Sequence, residues 1–184
     1  MAMASFLKSA LVAAAKAKNK ERIDSGFVGT ISPCPDDLVD RVVAYLDMGT
    51  TDVFVDLGCG DGRWCIAAAQ RSAAVCIGVD MDVGRIQLAA QKCATLELVC
   101  RVDWLLCDFI KGMRLHAASV VVFYLSRQGS ECVRDKAVQE CAEGTILVAV
   151  GFQVHGWTAY HSVASVSKKQ AIKAYFYKFS KTSM

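Results

Sequence analysis

From residue 36 onward, short unbroken apolar runs alternate with stretches whose apolar positions recur at helical spacing. The segment DDLVDRVVAYLD, opened by Pro35, sets Leu38, Val42, Tyr45 and Leu46 on one face of a predicted helix. VFVDL at 53–57 reads as a buried strand running into glycines, and 61–70 as an alanine-rich helix able to pack closely on a sheet. A second strand follows at 74–80 (AVCIGVD), then a helix over 83–93 carried by Val83, Ile86, Leu88 and Ala90. The third strand is WLLCD (104–108) and the fourth SVVVFYL (119–125). Ser130 to Ala142 reads as a helix, with Glu131 near the end that favours negative charge. TILVAVGF (145–152) is the fifth strand, and two more are expected near 158–166 and 171–179 with no long helix between them.

Buried strands that alternate with helices imply a parallel sheet covered on both faces. A closing pair without a crossover helix implies an antiparallel hairpin at one edge. The expected fold is therefore α/β, a mostly parallel sheet of seven strands with helices on both faces and an antiparallel C-terminal hairpin. No repeat or low-complexity linker divides it, so residues 31–184 are expected to form one domain, with 1–30 set apart as a basic amphipathic segment.

Composition narrows the class. A chain of 184 residues, 54% hydrophobic and 21% charged, can bury a core without disulfide staples. No apolar run reaches the roughly 18–20 residues of a membrane helix. The nine cysteines are irregularly spaced, form no CxxC pair and leave one over, which argues against a disulfide framework and a zinc knuckle. Cys76 and Cys107 fall in predicted strands as small apolar fillers. With no secretory signal in view, a reducing intracellular setting is expected.

The net charge of +3 is concentrated at the start, where Lys8, Lys16, Lys18, Lys20 and Arg22 against Glu21 make +4 and leave −1 for the remainder. A nearly neutral body argues against nucleic acid as a partner. The segment MAMASFLKSALVAAAKAKNK reads either as a surface helix docking through Phe6, Leu7, Leu11 and Val12 or as a mitochondrial presequence. The expected location is thus cytoplasmic, with the mitochondrion as the alternative.

The chemistry sits in VFVDLGCGDG. Gly58, Gly60 and Gly62 follow Asp56 at every second position, where a strand's carboxyl end meets the nucleotide crevice of an open α/β sheet. A dinucleotide loop, GxGxxG, requires its third glycine at 63, and that position is Arg63. Asp56 and Asp61 at the loop, with Cys59 between the glycines, disfavour a pyrophosphate and suit a ligand with a sulfonium and an ammonium group, S-adenosylmethionine (AdoMet). Asp80, ending the second strand, is placed to accept both ribose hydroxyls, with Met81 packing on the adenine. Asp108, ending the third, is placed to meet the adenine amino group, with Phe109 beside the ring. Asp80 can also be read as a turn residue, Asp108 as a cap and Gly62 as a packing glycine. His116, His155 and His161 show no ligand spacing, so no metal is expected.

These residues resemble the class I AdoMet-dependent methyltransferases from about residue 30 to the end, with Asp56, Gly58, Gly60 and Asp80 at the positions of DxGxGxG and the ribose acid. The resemblance implies a Rossmann-like seven-stranded sheet whose last strand is antiparallel and inserted near the edge. More narrowly, PCPDDLVDRVVAYL, DLGCGDGRWCIAAA, VVVFYL and RDKAVQECAEGTILVAVGFQVHGW are similar to small protein-lysine methyltransferases related to the one acting on the ATP synthase c-subunit. Ser126 and Arg127 stand where many of those relatives have a proline. The resemblance implies a protein lysine as acceptor.

Direct displacement at the methyl carbon is mainly a matter of positioning. A lysine amine must also be neutral, and at its usual pKa only a small fraction of one percent is so at neutral pH. Tyr124, after the fourth strand, is the candidate for orienting the acceptor, and Trp157 for walling its channel; each also reads as a core aromatic. Short connections without an inserted lid suit a protein side chain. The alternatives are a small-molecule methyltransferase and an AdoMet-binding scaffold that transfers nothing.

Overall fold

The computed structural model describes residues 33–166 and 171–181. The amphipathic reading of 1–30 lies outside the described residues. The elements are α1 (Asp36–Leu46), β1 (Val53–Leu57), α2 (Arg63–Arg71), β2 (Val75–Asp80), α3 (Val83–Thr95) and β3 (Val102–Leu106). They continue with α4 (Phe109–Gly112), β4 (Val120–Phe123), α5 (Arg127–Glu140), β5 (Ile146–Val150), β6 (His161–Ala164) and β7 (Lys173–Lys178).

All strands join one sheet in the order β3-β2-β1-β4-β5-β7-β6. The first five pair in parallel, while β7 runs antiparallel between β5 and β6. This is the Rossmann-like architecture expected, with its last strand inserted one position from the edge. Chain order reverses beside β1, since β1 pairs with β2 on one side and β4 on the other. In such sheets the crevice for a ligand opens at that switch point.

Alternation along the strands feeds two cores. Phe54, Val120, Val122, Val148 and Phe176 face α1, α2 and Cys93 of α3. Val53, Val55, Leu57, Val121, Phe123 and Leu147 face Val133 and Ala137 of α5. All nine cysteines are free thiols, seven of them buried, so they act mainly as small core residues. Among the described residues no helix is long and apolar enough to cross a membrane.

Two helical faces differ from expectation. α1 buries Leu38, Val39, Val42 and Val43, while Tyr45 turns outward and stacks on His161 at 4.1 Å. α3 buries Ala89 and Cys93 and leaves Val83 and Leu88 exposed. Its buried face is made of small residues, with Ala89 lying against Gly62 of the glycine loop. Small residues set that face, and hydropathy alone does not reveal it.

Candidate active site

The glycine loop is held by backbone bonds to β2. Gly58 and Cys59 both donate to the Val79 carbonyl at 2.8 and 2.9 Å, and Gly60 N donates to Asp80 Oδ2 at 3.0 Å. Gly58 and Gly60 have φ of 80° and 53°, torsions that glycine adopts without penalty. A side chain at Gly58 would also meet Leu125 at 2.9 Å.

A cavity of about 540 Å³ opens at this carboxyl edge, a size common for small-molecule sites. Its lining brings together Asp56, Gly58, Cys59, Gly60, Asp80, Met81, Asp108, Phe109 and Tyr124. These nine expected site residues come from the ends of β1, β2, β3 and β4. Two others are elsewhere. Gly62 packs on Trp104, where an added Cβ would lie 2.5 Å from the indole, a contact that fits the packing reading. Trp157, partly buried, packs edge-on against Tyr177 at 5.8 Å and near Phe179 at 6.5 Å, against the core that includes Val133 and Ala137 of α5 rather than along the cavity.

The packing role of Gly62 makes a prediction. Gly62→Ala forces a side chain into a left-handed torsion of 80° and into Trp104. Those penalties, about 1–2 kcal/mol for the torsion and about 1–3 for overpacking, sum to roughly 2–5 kcal/mol of lost stability. Thermal melting checks this, with a fall of about 2–4 °C per kcal/mol expected for a chain this size. A variant as stable as the parent would contradict the packing role.

The acids are not equivalent. Asp56 is 1% exposed, and its Oδ2 is buried with no hydrogen-bond partner. Burial, followed by the charges of Asp80 and Asp61, pushes its carboxyl well above the usual range. Asp80 is also buried, with Oδ1 accepting from Asp82 N at 2.9 Å and Oδ2 from Gly60 N. A carboxylate offers about four lone-pair sites, so capacity remains for ligand hydroxyls. Asp108 lies two residues beyond β3, not within it, and caps α4 by accepting from Ile110 N at 2.9 Å. It is both a cap and a cavity residue.

Asp61 corrects the simple picture of a loop lined by free negative charge. Its carboxylate is bound by Arg63 at 3.0 and 2.7 Å and by Lys92 at 2.7 Å. Burial raises its pKa, but those two cations outweigh burial and hold it well below the usual range. The Asp61 charge is thereby compensated, and Arg85 Nη1 lies 3.9 Å from Asp80 Oδ2, which leaves Asp56 as the uncompensated acid nearest the loop among the described residues. Arg63 also donates to the Cys34 carbonyl and to Asp36 at 3.1 Å, which pins the Pro33–Pro35 lead-in over the cavity. Sequence reading used Arg63 only to exclude a dinucleotide loop. It missed this clasp, along with Trp64, Arg85, Leu125 and Phe152, which also line the cavity.

The family model for the ANTKMT methyltransferase domain matches residues 56–161, from the first cavity acid into β6. This chain belongs to that family. Its cofactor is AdoMet. It is similar to a protein-lysine N-methyltransferase of Saccharolobus islandicus (strain REY15A), 29% identical over 126 residues, 68% of this chain and 78% of that one. In structure it resembles an RNA methyltransferase from Salinibacter ruber solved with S-adenosyl-L-homocysteine. That match has a TM-score of 0.72 and 26% identity, and spans 80% of this chain and 93% of that one. A SAM-dependent O-methyltransferase from Thermotoga maritima shares the fold at TM-score 0.62 and 15% identity, over 89% and 69% of the two chains.

The residues of this ANTKMT-family cavity fit that cofactor. Asp56 presents a buried, orphaned carboxyl oxygen, which is costly in isolation and becomes favourable beside a cation. Of the four carboxylates lining the cavity, Asp61, Asp80 and Asp108 each have a cation of this chain within 4.0 Å, so among the described residues the charge open to a positive ligand is that of Asp56. Among the described residues, no cluster of three or more His, Cys, Asp or Glu side chains is grouped to hold a metal ion.

Proposed function

We propose that this chain transfers the methyl group of AdoMet to a lysine side chain of a protein. The observation that carries the reading is the half of the cavity that the cofactor acids do not occupy. It is walled by Tyr124 and Leu125 after β4 and Phe152 after β5, beneath the clasped lead-in. Its support from relatives is the protein-lysine N-methyltransferase of S. islandicus, which matches over most of its own length.

In this reading Asp56, ionised, holds the cofactor's positive charge. Gly58, Cys59 and Gly60 admit its methionine part against bare backbone. Asp80 accepts the ribose hydroxyls, while Met81, Asp108 and Phe109 surround the adenine. The bound cofactor supplies an electrophilic methyl group. Tyr124 orients the incoming amine, its ring fixed against the backbone at Gly151, where a Cβ would lie 2.9 Å from it. The apolar wall strips water from the amine and so favours its neutral, nucleophilic form. Residues 1–30 are proposed to be an appendage to a single domain over 31–184.

The name of the S. ruber relative raises RNA as a second acceptor. The charge balance argues against it, since residues 23–184 sum to −1. One experiment separates the readings: the full chain is incubated with methyl-labelled AdoMet and fractionated cell extract. The expected label is resistant to ribonuclease, sensitive to protease and found on lysine by mass spectrometry. Label confined to RNA or to small molecules would overturn the proposal.

A further inference from the structure

Phe152 lines the same cavity, is 38% exposed and is not among the residues proposed to hold the cofactor. One exposed ring carries no meaning by itself. Here three observations converge on it. Gly151 takes φ +86° and lets the Tyr124 ring lie against the backbone just before Phe152. The two aromatics thus follow the carboxyl ends of neighbouring strands, β4 and β5, and line one cavity. The guanidinium of Arg127, first residue of α5, sits over the Phe152 ring with its carbon 5.1 Å from the ring centroid. A cation within about 6 Å of an aromatic face is attracted by the ring's quadrupole. Finally, Asp56 in the same cavity keeps a buried carboxyl oxygen without a hydrogen-bond partner, which favours a cation there.

We infer that Phe152 is the acceptor-recognition residue: its ring, beside Tyr124, receives the primary alkylammonium head of the substrate on the face that Arg127 covers. Arg127 is the resident cation that the substrate displaces. The ring takes the charged head first; once the head moves inward and loses its proton to solvent, the methylene stem of a lysine has the apolar length to take its place along the rings. An anionic acceptor gains nothing from this face. The inference rests on the proposed lysine acceptor for its biological substrate, but the contact between ring and cation can be measured separately.

The test is an NMR titration of the full chain, saturated with S-adenosylhomocysteine, using butylammonium chloride as the probe. The Phe152 ring signals, identified by their loss in Phe152→Leu, are expected to shift saturably. Affinity should fall by about fivefold or more in Phe152→Leu, return in Phe152→Trp, and rise in Arg127→Ala, which uncovers the face. Binding of S-adenosylhomocysteine confirms that each variant is folded. Equal butylammonium affinity in the parent and Phe152→Leu overturns the inference, even if protein lysines are methylated. The ring contact without any methylated lysine overturns the lysine acceptor and leaves the platform standing for another alkylammonium substrate.

Discussion

Asp80→Ala is expected to weaken AdoMet binding by about 100-fold or more, measured by calorimetry. Asp80 is 4% exposed, and both its oxygens already hold backbone amides, Gly60 N at 3.0 Å and Asp82 N at 2.9 Å. It thus couples the glycine loop to the end of β2 while facing the cavity. Removing it deletes the proposed acceptor for two ribose hydroxyls. Charge-assisted bonds are worth about 1.5–3 kcal/mol each, so two of them amount to more than a hundredfold. The same change frees Gly60 N, which loosens the loop. Asp80→Asn keeps one acceptor oxygen and is expected to lose less. Unchanged affinity in a folded Asp80→Ala protein would remove Asp80 from the cofactor site.

Asp56→Asn should act in opposite directions on stability and binding. In the cofactor-free protein the Asp56 carboxyl is raised far above its unfolded value, chiefly by burial. Between those two values the folded state holds a proton that the unfolded state releases. Stability contributed by the protonated group is therefore complete below the unfolded value and is lost as pH rises through the folded one. Asparagine cannot ionise, so the variant avoids that loss, although its amide is also buried. Above the folded value it should be more stable than the parent by about 1–3 kcal/mol, the difference between burying an unpaired charge and an unpaired amide. Below about pH 4 the two should melt alike. In the same variant the stabilisation on adding AdoMet should largely disappear, since the buried charge that favours the cation is gone. Melting curves with and without AdoMet across pH check both halves. A variant less stable than the parent at every pH would contradict the account of Asp56.

Where a residue's role depends on its place at a strand end, the sequence was legible. Asp56, Asp80 and Tyr124 all reach the cavity because each lies at or just beyond the carboxyl end of a strand whose apolar run is unmistakable. Roles that depend on what comes back from elsewhere in the chain were not legible. Asp61 looks like free charge until Lys92 arrives from α3, 31 residues on. Arg63 looks like a failed glycine until the lead-in carbonyl of Cys34 settles on it. Trp157 follows the strand next to Tyr124's, yet the chain turns at Gly156, with φ 81°, and carries the indole to Tyr177 and Phe179 instead. The buried side of α3 was misjudged for a related reason. Its buried positions are the small Ala89, packed against Gly62, and Cys93, and a hydropathy period gives such small residues little weight.

The cavity's defining feature is a buried acid awaiting a positive partner, and the pH dependence of AdoMet affinity tests it most directly. Calorimetry between about pH 5 and about pH 7, where the cofactor's own ammonium stays charged, should show affinity rising by up to about tenfold per pH unit below the Asp56 pKa. Binding should release a proton there, and Asp56→Asn should show neither effect. Affinity independent of pH, with no proton released and no difference between parent and variant, would contradict the account.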